Sequence, residues 1–256
     1  MKKIVAIAGG EFGSATRPHE LDAQIREIFR LTEKAAPKML ILPHAQRPEK
    51  QEECGERFVR RFEAFGFTCR VLTIQQLSDA ALSREAVEWA DAVFEVGGNT
   101  LDMIARWKET GFDAVLRRAW ENGTVLSGIS AGANCWFDGC SSDSLKIKYG
   151  PDQPLIGMDC LGFYPGFFVP HADEPGRADN IRDILRERGG VGLSFSNCAA
   201  LILLDDDYRV LTSDASFHGI TAYGRKTWWA GGEYHVEEIP TDGVLRPFRD
   251  LVRIPE

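Results

Sequence analysis

Short apolar runs alternating with stretches of helical periodicity most restrict the fold of this 256-residue chain. Residues 4–8 (Ile-Val-Ala-Ile-Ala) form an unbroken apolar run, the pattern of a strand covered on both faces. Leu21, Ile25, Ile28 and Phe29 follow at helical spacing. Residues 39–42 give a second strand, stopped by Pro43, and Cys54, Phe58, Phe62 and Phe65 mark a second amphipathic helix. Residues 69–72 and 92–96 give two more strands. Asn99 then reads as a helix N-cap with Asp102 at the third helical position, and the helical stretch to residue 121 is broken at Gly111. A fifth strand is expected at 124–127. Such alternation predicts an α/β fold, a mostly parallel sheet with helices on both faces.

The second half differs. A helix is expected near Arg177–Arg188, then short runs at 200–204, 208–211, 226–229 and 234–239, with three aspartates turning the chain between the first two. These read as antiparallel hairpins at the C-terminal edge of the sheet. No repeat, linker or low-complexity tract divides the chain, so residues 1–256 are expected to form one domain.

Immediately after the fifth strand runs Gly128-Ile129-Ser130-Ala131-Gly132, the chain's one match to G-x-S-x-G. This turn presents a nucleophilic serine between a strand and a helix, and the glycines leave room for a strained backbone. The small residues 131–137 suit a helix starting close to the sheet. The competing reading is a tight turn with a bystander serine.

Bulk properties exclude several classes. With 30 basic against 38 acidic residues the net charge is −8, and no Lys/Arg stripe suits nucleic acid. The apolar start is too short for export, and no segment approaches the ~20 apolar residues of a membrane helix. The six cysteines lack zinc or C-x-x-C spacing and read as buried thiols of a cytoplasmic protein. Gly9-Gly10-Glu11-Phe12-Gly13 lacks the G-x-G-x-x-G register, which argues against a dinucleotide site.

A serine nucleophile needs a base, and the base an orienting acid. Of five histidines, His171 stands in a loop after an apolar run, and His44 follows the second strand. Asp138, Asp143, Asp152, Asp159 and Asp173 are all candidate acids by position. An oxyanion hole needs two N–H donors, expected from Ala131 and, at the end of a neighbouring strand, Gly98.

Gly97-Gly98-Asn99-Thr100, Gly128–Ala133 (G-I-S-A-G-A) and Pro170-His171, in that order, resemble the S51 serine peptidases over most of the chain. The resemblance implies a fold like the class I glutamine amidotransferases, with Ser130 as nucleophile and His171 as base. It implies Asp143, thirteen residues after Ser130, as the acid, and Arg177, six after His171, as the group holding an aspartate side chain of the substrate. Asn99 and His44 are further expected substrate contacts. The stretch 194–198 (S-F-S-N-C) carries no acid where relatives often have a carboxylate.

These features predict a peptidase for small peptides, chiefly dipeptides with N-terminal Asp, working without metal or organic cofactor. Its expected partners are the peptide substrate and, at most, a second copy of the chain. The rivals are an esterase or amidase using the same triad, and a non-catalytic binding protein on the same scaffold. Only 41 residues separate Ser130 from His171, too few for the α/β-hydrolase arrangement.

Overall fold

In a computed structural model, which describes residues 1–255, the strand–helix alternation builds one face-covered sheet and the later runs build a second. The first half runs β1 (Lys3–Ile7), α1 (Asp22–Thr32), β2 (Lys38–Leu42), α2 (Gln51–Glu63), β3 (Thr68–Val71), α3 (Ala80–Trp89), β4 (Ala92–Glu95), α4 (Thr100–Thr110), α5 (Phe112–Glu121) and β5 (Val125–Ile129). Gly111, at φ 71°, separates α4 from α5, a left-handed conformation that glycine adopts without steric cost. Asn99 caps α4 by accepting the Asp102 N–H at 3.0 Å.

The second half continues with α6 (Ala131–Asn134), β6 (Phe137–Ser142), α7 (Ser144–Tyr149), β7 (Ile156–Asp159), β8 (Tyr164–Val169), α8 (Arg177–Arg188), β9 (Val191–Phe195), β10 (Ala199–Leu204), β11 (Asp207–Thr212), β12 (Gly224–Ala230), β13 (Glu233–Ile239), β14 (Arg246–Pro247) and α9 (Phe248–Val252). The first sheet has the order β14-β11-β10-β1-β5-β4-β2-β3. Its β1, β5, β4, β2 and β3 pair in parallel, while β10, β11 and β14 add antiparallel strands beside β1.

Sequence periodicity did not reveal the second sheet, β13-β12-β9-β8-β6-β7. The hairpin β10–β11 extends the first sheet as expected, but β12–β13 belongs to the second. The helix expected over 131–137 is one turn only, because Phe137 starts β6. Strands β6 and β8 carry glycines and prolines among their apolar residues, which hides their period.

Alternate residues of β1 point to opposite faces. Val5 and Ile7 join Ile25, Ile28, Phe58 and Phe62 of α1 and α2. Ile4 and Ala6 face a larger core holding Met103 and Trp107 of α4, Leu116 of α5, and Phe137, Phe168 and Phe195 of the second sheet. Helix α8 covers that sheet's outer face through Ile181, Ile184 and Leu185. Among the described residues no helix is long and apolar enough to cross a membrane, and all six cysteines are free.

Candidate active site

The parallel strands of both sheets end at one cleft. Gly9 follows β1, Gly97 and Gly98 follow β4, Ser130 follows β5, and His171 lies just beyond β8. Asn197 lies where the chain passes from β9 in the second sheet to β10 in the first. Carboxyl ends of parallel strands are where open α/β sheets collect functional groups.

Ser130 has φ 56° and ψ −110°, a strained conformation held by its surroundings. Its N–H donates to Ile7 O at 3.0 Å, and its carbonyl accepts from the Ala133 and Asn134 N–H groups, each at 2.9 Å. The flanking glycines are required by close approach of backbone to backbone. A Cβ on Gly128 would stand 2.6 Å from Glu95 O, and one on Gly132 2.6 Å from the Glu95 carbonyl carbon. β4 and the serine turn can therefore touch only where side chains are absent.

His171 Nε2 lies 3.0 Å from Ser130 Oγ, and His171 Nδ1 lies 2.8 Å from Asn197 Oδ1. The Asn197 amide is oriented in turn. Its Nδ2 donates to Asp173 Oδ2 at 2.9 Å, and its backbone N–H donates to Asp173 Oδ1 at 2.7 Å. With Nδ2 committed to Asp173, Oδ1 faces the imidazole and accepts from Nδ1–H. That tautomer leaves a lone pair on Nε2 to accept the Ser130 hydroxyl hydrogen. His171 itself has φ 50°, and Cys198, next to Asn197, has φ 65°. The Cys198 N–H is tied to Gly9 O at 3.0 Å. Burial pushes the Cys198 thiol up to about 12, so it is uncharged at neutral pH.

Four residues singled out in the sequence stand elsewhere. Asp143 does not touch His171. It pairs with Arg177 at 3.0 Å, so the expected acid and the expected substrate-binding cation engage each other. Arg177 is buried, also donates to Ser141 O at 3.4 Å, and lines none of the cavity beside Ser130. A buried guanidinium must be paired, and Asp143 serves that need. His44 is buried too. It accepts from Trp107 Nε1 at 2.8 Å and donates to Leu72 O at 2.8 Å, and burial lowers its pKa to about 3, so it is a neutral core residue. The Asn99 side chain is spent on the α4 cap, on Asp102 and on Ser144 O. Sequence reasoning missed Asn197 as the imidazole's partner. Its one signal was a polar residue between two apolar strands.

Gly97 packs against Ser130, and Gly98 follows it against Ala45. A Cβ on Gly97 would lie 3.3 Å from Ser130 Cβ, and one on Gly98 2.7 Å from the Ala45 carbonyl carbon. Among the described residues no acceptor takes the N–H of Gly98 or Ala131, which leaves both donors free. Behind this wall lies Glu95, fully buried, with Oε1 accepting the Ala45 N–H at 3.0 Å and Oε2 3.9 Å from His44 Nδ1. Burial holds its carboxyl well above the usual range, so it keeps its proton.

A cavity of about 220 Å³ opens on Ser130 and His171, with Phe12, Phe58 and Ile129 among its apolar walls and Glu11, Gln46 and Arg57 as its other polar groups. A larger one of about 600 Å³ lies across Gln46 and Gly98, rimmed by Arg47, Lys50 and Lys148. Among the described residues Glu20, Cys198 and His218 come close enough to share a metal ion, their ligand atoms lying within 4.8 Å. Glu20 is already engaged by His218 at 2.9 Å, by the Glu11 N–H at 2.5 Å and by Arg17 at 3.6 Å. Glu20 thus already has partners of its own, Arg17 among them.

Comparison with known proteins gives the family and the fold. The pattern of peptidase family S51 matches residues 4–211. The chain is 31% identical to the uncharacterized peptidase YgaJ of Bacillus subtilis over 94% of its own length and 97% of that protein. It is 30% identical to peptidase E of Salmonella arizonae over 41% of the chain and 46% of that protein. Among solved structures, a peptidase from an acI-B1 actinobacterium superposes with a TM-score of 0.69 at 15% identity, covering 97% of both chains. A putative peptidase E from Listeria monocytogenes gives 0.63 at 16% identity, over 84% of this chain and 100% of the other. At those identities the two structures speak for the fold.

Proposed function

The chain belongs to peptidase family S51, and from that premise we propose that it is a serine peptidase cleaving short peptides, dipeptides with N-terminal Asp among them. The observation that carries the reading is the 3.0 Å approach of His171 Nε2 to Ser130 Oγ on a strained strand-to-helix turn. Ser130 Oγ attacks the peptide carbonyl carbon as its proton passes to His171 Nε2. The carbonyl oxygen becomes an oxyanion, met by the N–H groups of Gly98 and Ala131. When the tetrahedral species collapses, the C–N bond breaks and His171 returns its proton to the leaving amine. Water, deprotonated by His171, then attacks the acyl-enzyme and restores Ser130.

The third member of the set is Asn197, not Asp143. An amide in that place is known from cysteine peptidases with a Cys-His-Asn set, where it fixes the imidazole's orientation. Here Asp173 fixes the amide in turn. The test is covalent labelling of the intact protein by a fluorophosphonate, read by peptide mass spectrometry. Labelling at Ser130, abolished in Ser130→Ala together with peptide hydrolysis, is the expected result. A cleanly purified Ser130→Ala protein with full hydrolytic activity overturns the reading.

A further inference from the structure

We propose that Arg57 is the specificity residue of this site, the cation that meets an acidic side chain on the acyl portion of the substrate. The inference rests on the peptidase reading and sharpens it. If the acyl portion carries a carboxylate, a cation must stand in the cavity that opens on Ser130. Arg177 cannot be that cation, since it is buried against Asp143 outside the cavity. Arg57 lines it, beside Cys54 and Phe58, its neighbours on one face of α2.

Its state differs from that of the other arginines of the same helix. Arg60 is matched with Glu56 at 3.8 Å, and Arg61 is bonded to Asp22. Among the described residues no carboxylate stands within salt-bridge distance of Arg57, whose guanidinium lies 5.2 Å from the Phe58 ring. A cation with no carboxylate partner at the mouth of an apolar-walled cavity can meet a carboxylate of a ligand. The cavity's about 220 Å³ falls below the ~300 Å³ at which drug-sized sites begin, which suits one small acyl residue. Glu11 lies on the same cavity, half-exposed and paired with Arg17 at 3.1 Å, and brings a negative charge to meet a free α-ammonium. Together the two charges fit an N-terminal acidic residue with a free amino group.

The experiment compares kcat/KM for matched Asp-, Ala- and Lys-anilides on the wild type, Arg57→Ala and Arg57→Glu. Arg57 is exposed, so each variant is expected to fold, which circular dichroism checks. The wild type is expected to prefer the Asp substrate. Arg57→Ala is expected to lower the Asp-to-Ala ratio on the order of 10- to 150-fold, the worth of one charge-assisted contact. Arg57→Glu is expected to turn the preference toward Lys. An Asp-to-Ala ratio unchanged in both variants, or a wild type without acidic preference, overturns the assignment. Fluorophosphonate labelling of wild-type Ser130 is read separately, so failure of the specificity residue is distinguished from failure of the serine mechanism.

Discussion

Adding one methyl group at Gly9 should disable the site while leaving every group that handles a proton chemically intact. A Cβ there would stand 2.5 Å from His171 Cε1, and nearer still to His171 Nδ1 and Asn197 Oδ1. Carbon atoms settle at about 3.5 Å, so the imidazole must retreat by at least about 1 Å. It is held between Asn197 at 2.8 Å and Ser130 at 3.0 Å, so the movement breaks one contact or both. A misplacement of about 1 Å costs on the order of 10²-fold in rate. The overpacking itself costs about 1–3 kcal/mol of stability. Gly9 does not have a positive φ, so alanine meets no backbone penalty there and the effect is steric alone. The assay is the second-order rate of fluorophosphonate labelling beside kcat/KM on a short peptide, with a thermal melt to show that Gly9→Ala is folded. A folded variant that labels at more than about a third of the wild-type rate would refute the argument that Gly9 is bare to admit the His171–Asn197 pair.

Two further outcomes follow from the buried polar groups. Asn197→Leu removes the acceptor for His171 Nδ1–H and should lower kcat/KM by on the order of 10² to 10⁴-fold, while Asp173→Asn should lose less, because it frees the amide to turn without removing it; wild-type rates in Asn197→Leu would remove Asn197 from the site. Glu95→Gln should stabilise the protein more at pH 8 than at pH 5: the folded carboxyl keeps its proton above 4.5, the unfolded one does not, and stability falls by about 1.4 kcal/mol per pH unit from 4.5 up to the raised pKa. Urea melts at the two pH values that give one and the same difference between Glu95→Gln and wild type would show that Glu95 ionises when folded.

The parallel sheet was legible because strands covered on both faces must be apolar along their whole length, as residues 4–8 and 39–42 are. Ser130 was legible because a strained turn between strand and helix demands glycine at fixed positions. The second sheet was not, since β6 and β8 interleave apolar residues with Gly139, Pro165 and Gly166. Asp143 and Arg177 misled for a physical reason. A salt-bridged pair and a pair of catalytic groups use the same residue types, and only distance separates them. Asn197 could not be chosen from sequence because its role depends on Asp173 turning its amide, a contact across 24 positions. Gly9 was read only as part of a failed dinucleotide loop, yet its missing side chain admits the imidazole.

The reacting groups are divided between two sheets. Ser130 rides on the first, His171 on the second, and Asn197 on the strand-to-strand passage that joins them. The separation of Ser130 and His171 is thus a gauge of how the sheets are seated. That seating rests on the shared core in which Ile4 and Ala6 of the first sheet join Phe137, Phe168 and Phe195 of the second, whose rings stack with centroids 4.8 and 5.5 Å apart along the series. A slip of one sheet over the other is written directly into the one distance the chemistry depends on. The aromatic core therefore acts as the keel of the site, and its fit is felt as alignment before it is felt as stability.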